Sequence, residues 1–219
     1  MKVLFFLNPR ERKFLEKDIR IFVRDVAQWS QFAILIGLLL LYILNLRTFE
    51  YDQKSMFWKH FVATLNLSSI ALINCTFATR FIFPMLSLEG KKFWMLGVMP
   101  IKKSSILASK FLFATIILIF TSESLVLLSC YMLRLPPTLI LFHSCTILAI
   151  SLGVASLSVG IGAIYPNFKE DTPSKIIAGF EGTLNLILNI AFVLIMVTIQ
   201  SIPGYLIVKG IWTGSIIYY

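Results

Sequence analysis

The run Thr138–Tyr165, TLILFHSCTILAISLGVASLSVGIGAIY, contains no Asp, Glu, Lys or Arg. It is longer than the roughly 20 residues that a helix needs to cross a hydrocarbon core. Its small residues, Ser151, Gly153, Ala155, Ser156, Ser158, Gly160 and Gly162, recur along it. Ser156-x-x-x-Gly160 and Ser158-x-x-x-Gly162 both fit the spacing that lets two membrane helices approach closely. The fold follows from this run: a helix of this kind is stable only in lipid, beside other helices.

Outward from it, the rest of the chain agrees. Mean hydropathy is +0.84, and 14% of the 219 residues are charged, against about a quarter in ordinary soluble domains. One domain of this size cannot bury so much apolar surface, so the surplus faces lipid. Further apolar runs at 29–46, 61–77, 111–133 and 183–202 read as spans. The stretch 205–219 reads as an incomplete sixth span or as the end of a truncated chain. The expected architecture is all-α: a polytopic transmembrane bundle of about five to six spans over residues 29–219. An amphipathic lead-in over 1–28 precedes it. There Leu15, Ile19, Phe22 and Val26 share one helical face, and Lys13, Lys17, Arg20 and Arg24 another. The apolar run before Pro9 is too short for the core of a cleaved signal peptide.

The formal charge of +9 would suit a nucleic-acid binder, but the basic residues sit in short segments between apolar runs. There they set orientation. With the N-terminus inside, fifteen of the twenty Lys and Arg fall on the inner side. The expected placement is multi-pass in the cell membrane, N-terminus cytoplasmic, with lipid and no nucleic acid as partners.

Several chemistries lack their residues. Gly90-Lys91-Lys92 has neither the upstream Gly nor the following Ser or Thr of a Walker A phosphate cradle. No His-Glu-x-x-His and no Gly-x-Ser-x-Gly occurs. The three cysteines are unpaired by spacing, lie in apolar runs, and read as packing residues. His60 and His143 are far apart in sequence, whereas zinc needs three or four converging ligands. No metal site, no catalytic residue and no bound cofactor are expected.

Polar residues inside spans have to find partners in other helices. Asn66 and Asn74 in the second span are of this kind. Glu123, in the third, is the one carboxylate at membrane depth. It reads first as a carboxyl hydrogen-bonded across a helix interface to Ser, Thr or Asn, and second as an ion- or proton-handling group. An intramembrane enzyme would have to rest on Glu123 alone.

The segment between the second and third spans is patterned: Leu86-Ser87-Leu88-Glu89-Gly90-Lys91-Lys92-Phe93-Trp94, then Pro100, Lys102-Lys103 and Ala108-Ser109-Lys110. A short amphipathic helix over 89–96 would seat Phe93, Trp94 and Leu96 on protein or membrane. It would leave Glu89, Lys91 and Lys92 free for a partner. Ser104 or Ser105 is a candidate cap for the following helix.

This stretch resembles the first cytoplasmic loop of ABC-2 type transporter permeases. Two others resemble the ABC exporter branch of that family: Lys17–Gln31, like a connecting helix, and Tyr165-Pro166-Asn167-Phe168 with Gly179-Phe180-Glu181-Gly182, where Gly is expected in place of Glu181. The resemblance implies the C-terminal membrane half of a permease. It implies a coupling helix that docks on a nucleotide-binding ATPase subunit through Glu89, Phe93 and Trp94, supported by Lys91, Lys92 and Lys102. The connecting helix would include Lys17, Arg20 and Arg24. It also implies a second membrane half, ATP and Mg on the partner subunit, and export of an unidentified cargo. The alternative is a membrane scaffold or degenerate half-permease that moves nothing.

Overall fold

The computed structural model describes residues 33, 34, 36, 37, 40, 41, 56–92, 103–168, 170 and 172–208. Among them the chain is helical with no strand, so the all-α class holds. The elements are α1 (Met56–Phe77), α2 (Lys103–Met132), α3 (Pro137–Ile164), the short α4 (Pro173–Ala178) and α5 (Phe180–Val208). Four stretches are long and apolar enough to cross a membrane: Trp58–Glu89, Ser104–Met132, Pro137–Ile164 and Phe180–Ile202. Of the expected first span, six residues are described and all are helical. Ile36 and Leu40 among them pack on the core. The lead-in 1–28 lies outside the described residues, as does most of 205–219.

The first of these stretches is longer than the expected 61–77. α1 does not stop at Phe77 but widens into a π-helical turn, Ala78–Ile82, then tightens into 3-10 turns at Phe83–Met85 and Ser87–Lys92. The cause is Pro84. It has no N–H to donate, so the ordinary ladder cannot pass it. The wide turn closes instead through Phe83 N–H to the Ala78 carbonyl. The segment between the second and third spans is therefore helical at both ends, to Lys92 and from Lys103. α2 begins at Lys103, so Ser104 and Ser105 lie within its first turn and do not cap it.

α2 and α3 form an antiparallel hairpin. α2 closes with paired bonds from Leu135 N–H to the Cys130 carbonyl (3.2 Å) and from Arg134 N–H to the Tyr131 carbonyl (3.2 Å). Arg134 takes the left-handed position (φ 49°) that this helix stop requires. Leu135 and Cys130 are both in the core. Pro136 and Pro137 then start α3 where a missing N–H does no harm.

α5 packs against α1 and α3. The core runs between these helices through Leu67, Ile70, Phe77, Leu118, Ile147, Ile150, Val154 and Val193. Leu65, Phe120, Leu141, Leu152, Leu194 and Ile195 point outward, as lipid-facing residues do.

Two rules sort the polar side chains. Hydroxyls can bond back to their own helix: Thr64 to the His60 carbonyl, Ser69 to Leu65, Thr76 to Leu72, Ser124 to Phe120, Ser156 to Leu152 and Thr198 to Leu194. They therefore tolerate exposed or half-buried positions. Asn, Gln, His and Glu project too far to do this well, and they turn inward to other helices.

Candidate functional site

The inward polar groups form layers along the bundle, each joining two or three helices. Asn66 of α1 donates to Ser129 Oγ of α2 at 2.8 Å. One level on, Asn74 donates to Ser151 Oγ of α3 at 3.1 Å, and Ser151 shares a bond of 3.0 Å with Ser122 of α2. Further on, Asn185 of α5 donates to Thr79 Oγ1 at 3.1 Å. Asn189 donates to Ser158 Oγ at 2.9 Å and to Asn185 Oδ1 at 3.1 Å. All of these pairs except Ser122–Ser151, 29 residues apart, are at least 31 residues apart or lie in one turn of α5. Asn66 and Asn74 find cross-helix hydroxyl partners. Thr79, Asn185 and Asn189 were not singled out from sequence, although Asn at i and i+4 in an apolar run is a signal for such a layer.

Glu123 accepts a hydrogen bond from the Ser144 hydroxyl of α3. One neutral donor is a modest environment for a carboxyl in a span. Glu123→Gln keeps the size and an acceptor oxygen for Ser144, and it is expected to change stability by no more than about 1 kcal/mol. Unfolding in detergent, followed by circular dichroism, checks this. A much larger loss would mean that the carboxyl makes a contact beyond Ser144.

The small-residue motifs resolve unequally. Ser158 and Gly162 face inward: Ser158 carries the Asn189 bond, and a Cβ at Gly162 would stand 2.5 Å from the Phe83 carbonyl oxygen. Gly160 has nothing within 4 Å of such a Cβ, and Ser156 is exposed. Residues two apart on a helix point in nearly opposite directions. Within the described residues, Ser158 and Gly162 therefore pack on other helices of the chain and Ser156 and Gly160 do not. A second close approach is at Gly182, whose Cβ would run into the backbone of Ile177 where α4 turns into α5.

At one end of the bundle three connecting segments meet. Glu89, on the 3-10 turn after α1, pairs with Lys110 of α2 at 2.6 Å, with side chains 11% and 5% exposed. Two positions earlier, the buried Ser87 hydroxyl accepts the Asn167 N–H at 3.0 Å. The stretches Ser87–Gly90, Ala108–Lys110 and Tyr165–Phe168 are thus brought together. Glu89 does not stand free for a partner, because a buried ammonium at Lys110 requires an anion beside it. Lys91 and Lys92 end the same 3-10 turn. Phe93, Trp94, Lys102, Lys17, Arg20 and Arg24 lie outside the described residues.

The model of the family described as "Putative ATP-binding cassette" matches residues 1–217. The chain belongs to this family. The match corrects the resemblance to ABC-2 type permeases: the family found is an ATP-binding-cassette family by its description, not an ABC-2 permease family. It relates the chain to ABC transporters and their components. No curated protein and no solved structure matches the chain. Across its 219 residues there is no Walker A pattern, and the inward polar groups are amides, hydroxyls and imidazoles rather than a phosphate cradle.

Proposed function

We propose that the chain is the membrane-spanning (permease) subunit of an ABC exporter, driven by a separate ATPase subunit. The observation that carries this is a chain-long match to an ATP-binding-cassette family in a sequence whose described part consists of membrane-length apolar helices. Such a chain supplies the path, and a soluble partner supplies ATP and Mg chemistry. The bundle end holding Glu89, Lys110 and Asn167 is the side on which that partner docks. The basic excess of 80–110 places it in the cytoplasm, with the N-terminus.

The geometry supports a route for the stroke. Force applied at the segment 93–102 reaches α1 through Ser87–Lys92 and α2 through Lys103–Lys110, and the Glu89–Lys110 pair ties these two arms together. The Ser87–Asn167 bond extends the tie to the loop after α3. Glu89 thus acts within the chain, and Phe93, Trp94, Lys91, Lys92 and Lys102 make the contact with the ATPase. Lys17, Arg20 and Arg24 lie on the same side. One set of these spans is too few to enclose a path, so a second membrane half, identical or not, completes it.

The test is to tag the chain in its native host, solubilise it gently and identify what co-purifies. The expected result is a soluble ATPase with Walker motifs. Its recovery should fall at least tenfold in Trp94→Ala, which leaves the Glu89–Lys110 pair in place. A well-folded preparation with no such ATPase would overturn the reading in favour of a scaffold.

A further inference from the structure

Both histidines of the chain, 83 residues apart in sequence, meet at the other end of the bundle. His60 lies in the second turn of α1 and His143 in the second turn of α3, with ring centroids 5.8 Å apart and planes inclined at 40°. Gln200 of α5 joins them, its side-chain amide 2.7 Å from His143 Nδ1. Relative exposure is 6% for His60, 1% for His143 and 3% for Gln200. Among the described residues, both ring nitrogens of His60, Nε2 of His143 and Oε1 of Gln200 have no hydrogen-bond partner. Everywhere else along the bundle an inward amide meets a hydroxyl from the next helix. Here three inward groups from three helices converge and leave four polar atoms unused among the described residues, whereas Asn66, Thr115, Glu123 and Asn189 each leave a single one, and buried polar groups ordinarily find partners.

We propose that His60 and His143 bind a late transition-metal ion between α1 and α3, with Gln200 orienting His143. Two imidazoles bound to one ion at about 2.0–2.1 Å hold their ring centroids roughly 5–6.5 Å apart, for bond angles from tetrahedral to linear. The observed separation lies inside that interval. With the Gln200 amide turned end for end, Oε1 accepts from His143 Nδ1–H. That fixes the tautomer whose Nε2 lone pair is free, as partners of metal-bound histidines do.

The charge selects the ion. Two neutral imidazoles and an amide contribute no negative charge. Among the described residues no group of three or more His, Cys, Asp and Glu is gathered anywhere. A singly charged ion is far less costly to hold there than a doubly charged one. Imidazole suits copper among other transition metals, and copper(I) is its singly charged ion. Two ligands leave it open to a third group, from solvent or from cargo.

The test uses the full chain, purified in detergent. It is titrated with copper(I) under ascorbate against a colorimetric chelator, and separately with zinc(II). One equivalent of copper(I) is expected. X-ray absorption should show nitrogen neighbours at about 2 Å rather than sulfur at about 2.3 Å, which separates the site from Cys75, Cys130 and Cys145. His60→Ala and His143→Ala should each weaken binding at least 100-fold, and Gln200→Leu about 10- to 100-fold. Binding of neither ion by the parent chain overturns the proposal whether or not the variants fold. A sulfur-only signature also overturns it. Zinc(II) bound more tightly through the same histidines upholds the site and overturns the choice of copper(I).

Discussion

Gly162→Ala is expected to destabilise the bundle, although the same change in an exposed helix is favourable by about 1 kcal/mol. The added methyl would stand 2.5 Å from the Phe83 carbonyl oxygen. That atom is main chain, held between a π turn and a proline, and cannot swing aside. Overpacking costs typically 1–3 kcal/mol, so a net loss of about 1–2 kcal/mol is expected for Ala and more for Val. Gly160→Ala is the internal control. Nothing stands within 4 Å of its Cβ position, so the helix-propensity gain should appear undiminished, as a stabilisation of up to about 1 kcal/mol. Thermal unfolding of the two variants side by side decides the matter. Equal effects would mean that α1 and α3 do not approach at Gly162.

The second large effect concerns the pair at the end of the bundle. Lys110→Ala would remove the ammonium beside the nearly buried Glu89 carboxylate, and Glu89→Ala would remove the anion beside the buried Lys110. Breaking one side of a buried pair costs about 3–5 kcal/mol. Either variant should therefore accumulate poorly and unfold early. Replacing both together, Glu89→Met with Lys110→Met, removes the charges as a set and should recover most of that loss, because apolar replacement of a whole pair is often neutral. The double-mutant cycle reads the coupling directly. Single variants as stable as the parent would show that the pair is solvated. If the double variant is stable but no longer retains the ATPase, the pair serves coupling as well as folding.

The sequence discloses membrane helices because apolar length is a one-dimensional property. The runs near Thr138 and Phe111 needed no knowledge of neighbours. Asn66 and Asn74 were legible as inward groups for the same reason, since lipid offers them nothing. Which hydroxyl each would meet was not legible, because Ser129 and Ser151 differ in no local way from Ser124 and Ser156, which bond back to their own helices. The two small-residue motifs of α3 overlap in sequence and point in opposite directions. Only the position of Phe83 distinguishes them. Lys110 looked like one more member of a basic segment until α2 proved to begin at Lys103 and to carry the lysine inside. The pairing of His60 with His143 depends on the parallel placement of α1 and α3, which no spacing rule encodes. At Pro84 the residue was visible but its effect was not: the chain continues as helix by changing pitch rather than by stopping.

The polar layers also have an order in time. Among the described residues, the cross-helix hydrogen-bond partners of α1 and of the π turn after it lie downstream: Ser129 by 63 residues, Ser151 by 77 and Asn185 by 106. A ribosome adding about 5–20 residues per second would leave Thr79 waiting on the order of 5–20 s for Asn185. Until those partners arrive, the stretch that begins with α1, the least apolar of the four, holds polar side chains that are still unmet. Its insertion is a provisional event, completed only when later helices arrive. Biogenesis of these helices thus runs backwards from the usual picture, with α5 securing the segment that α1 begins.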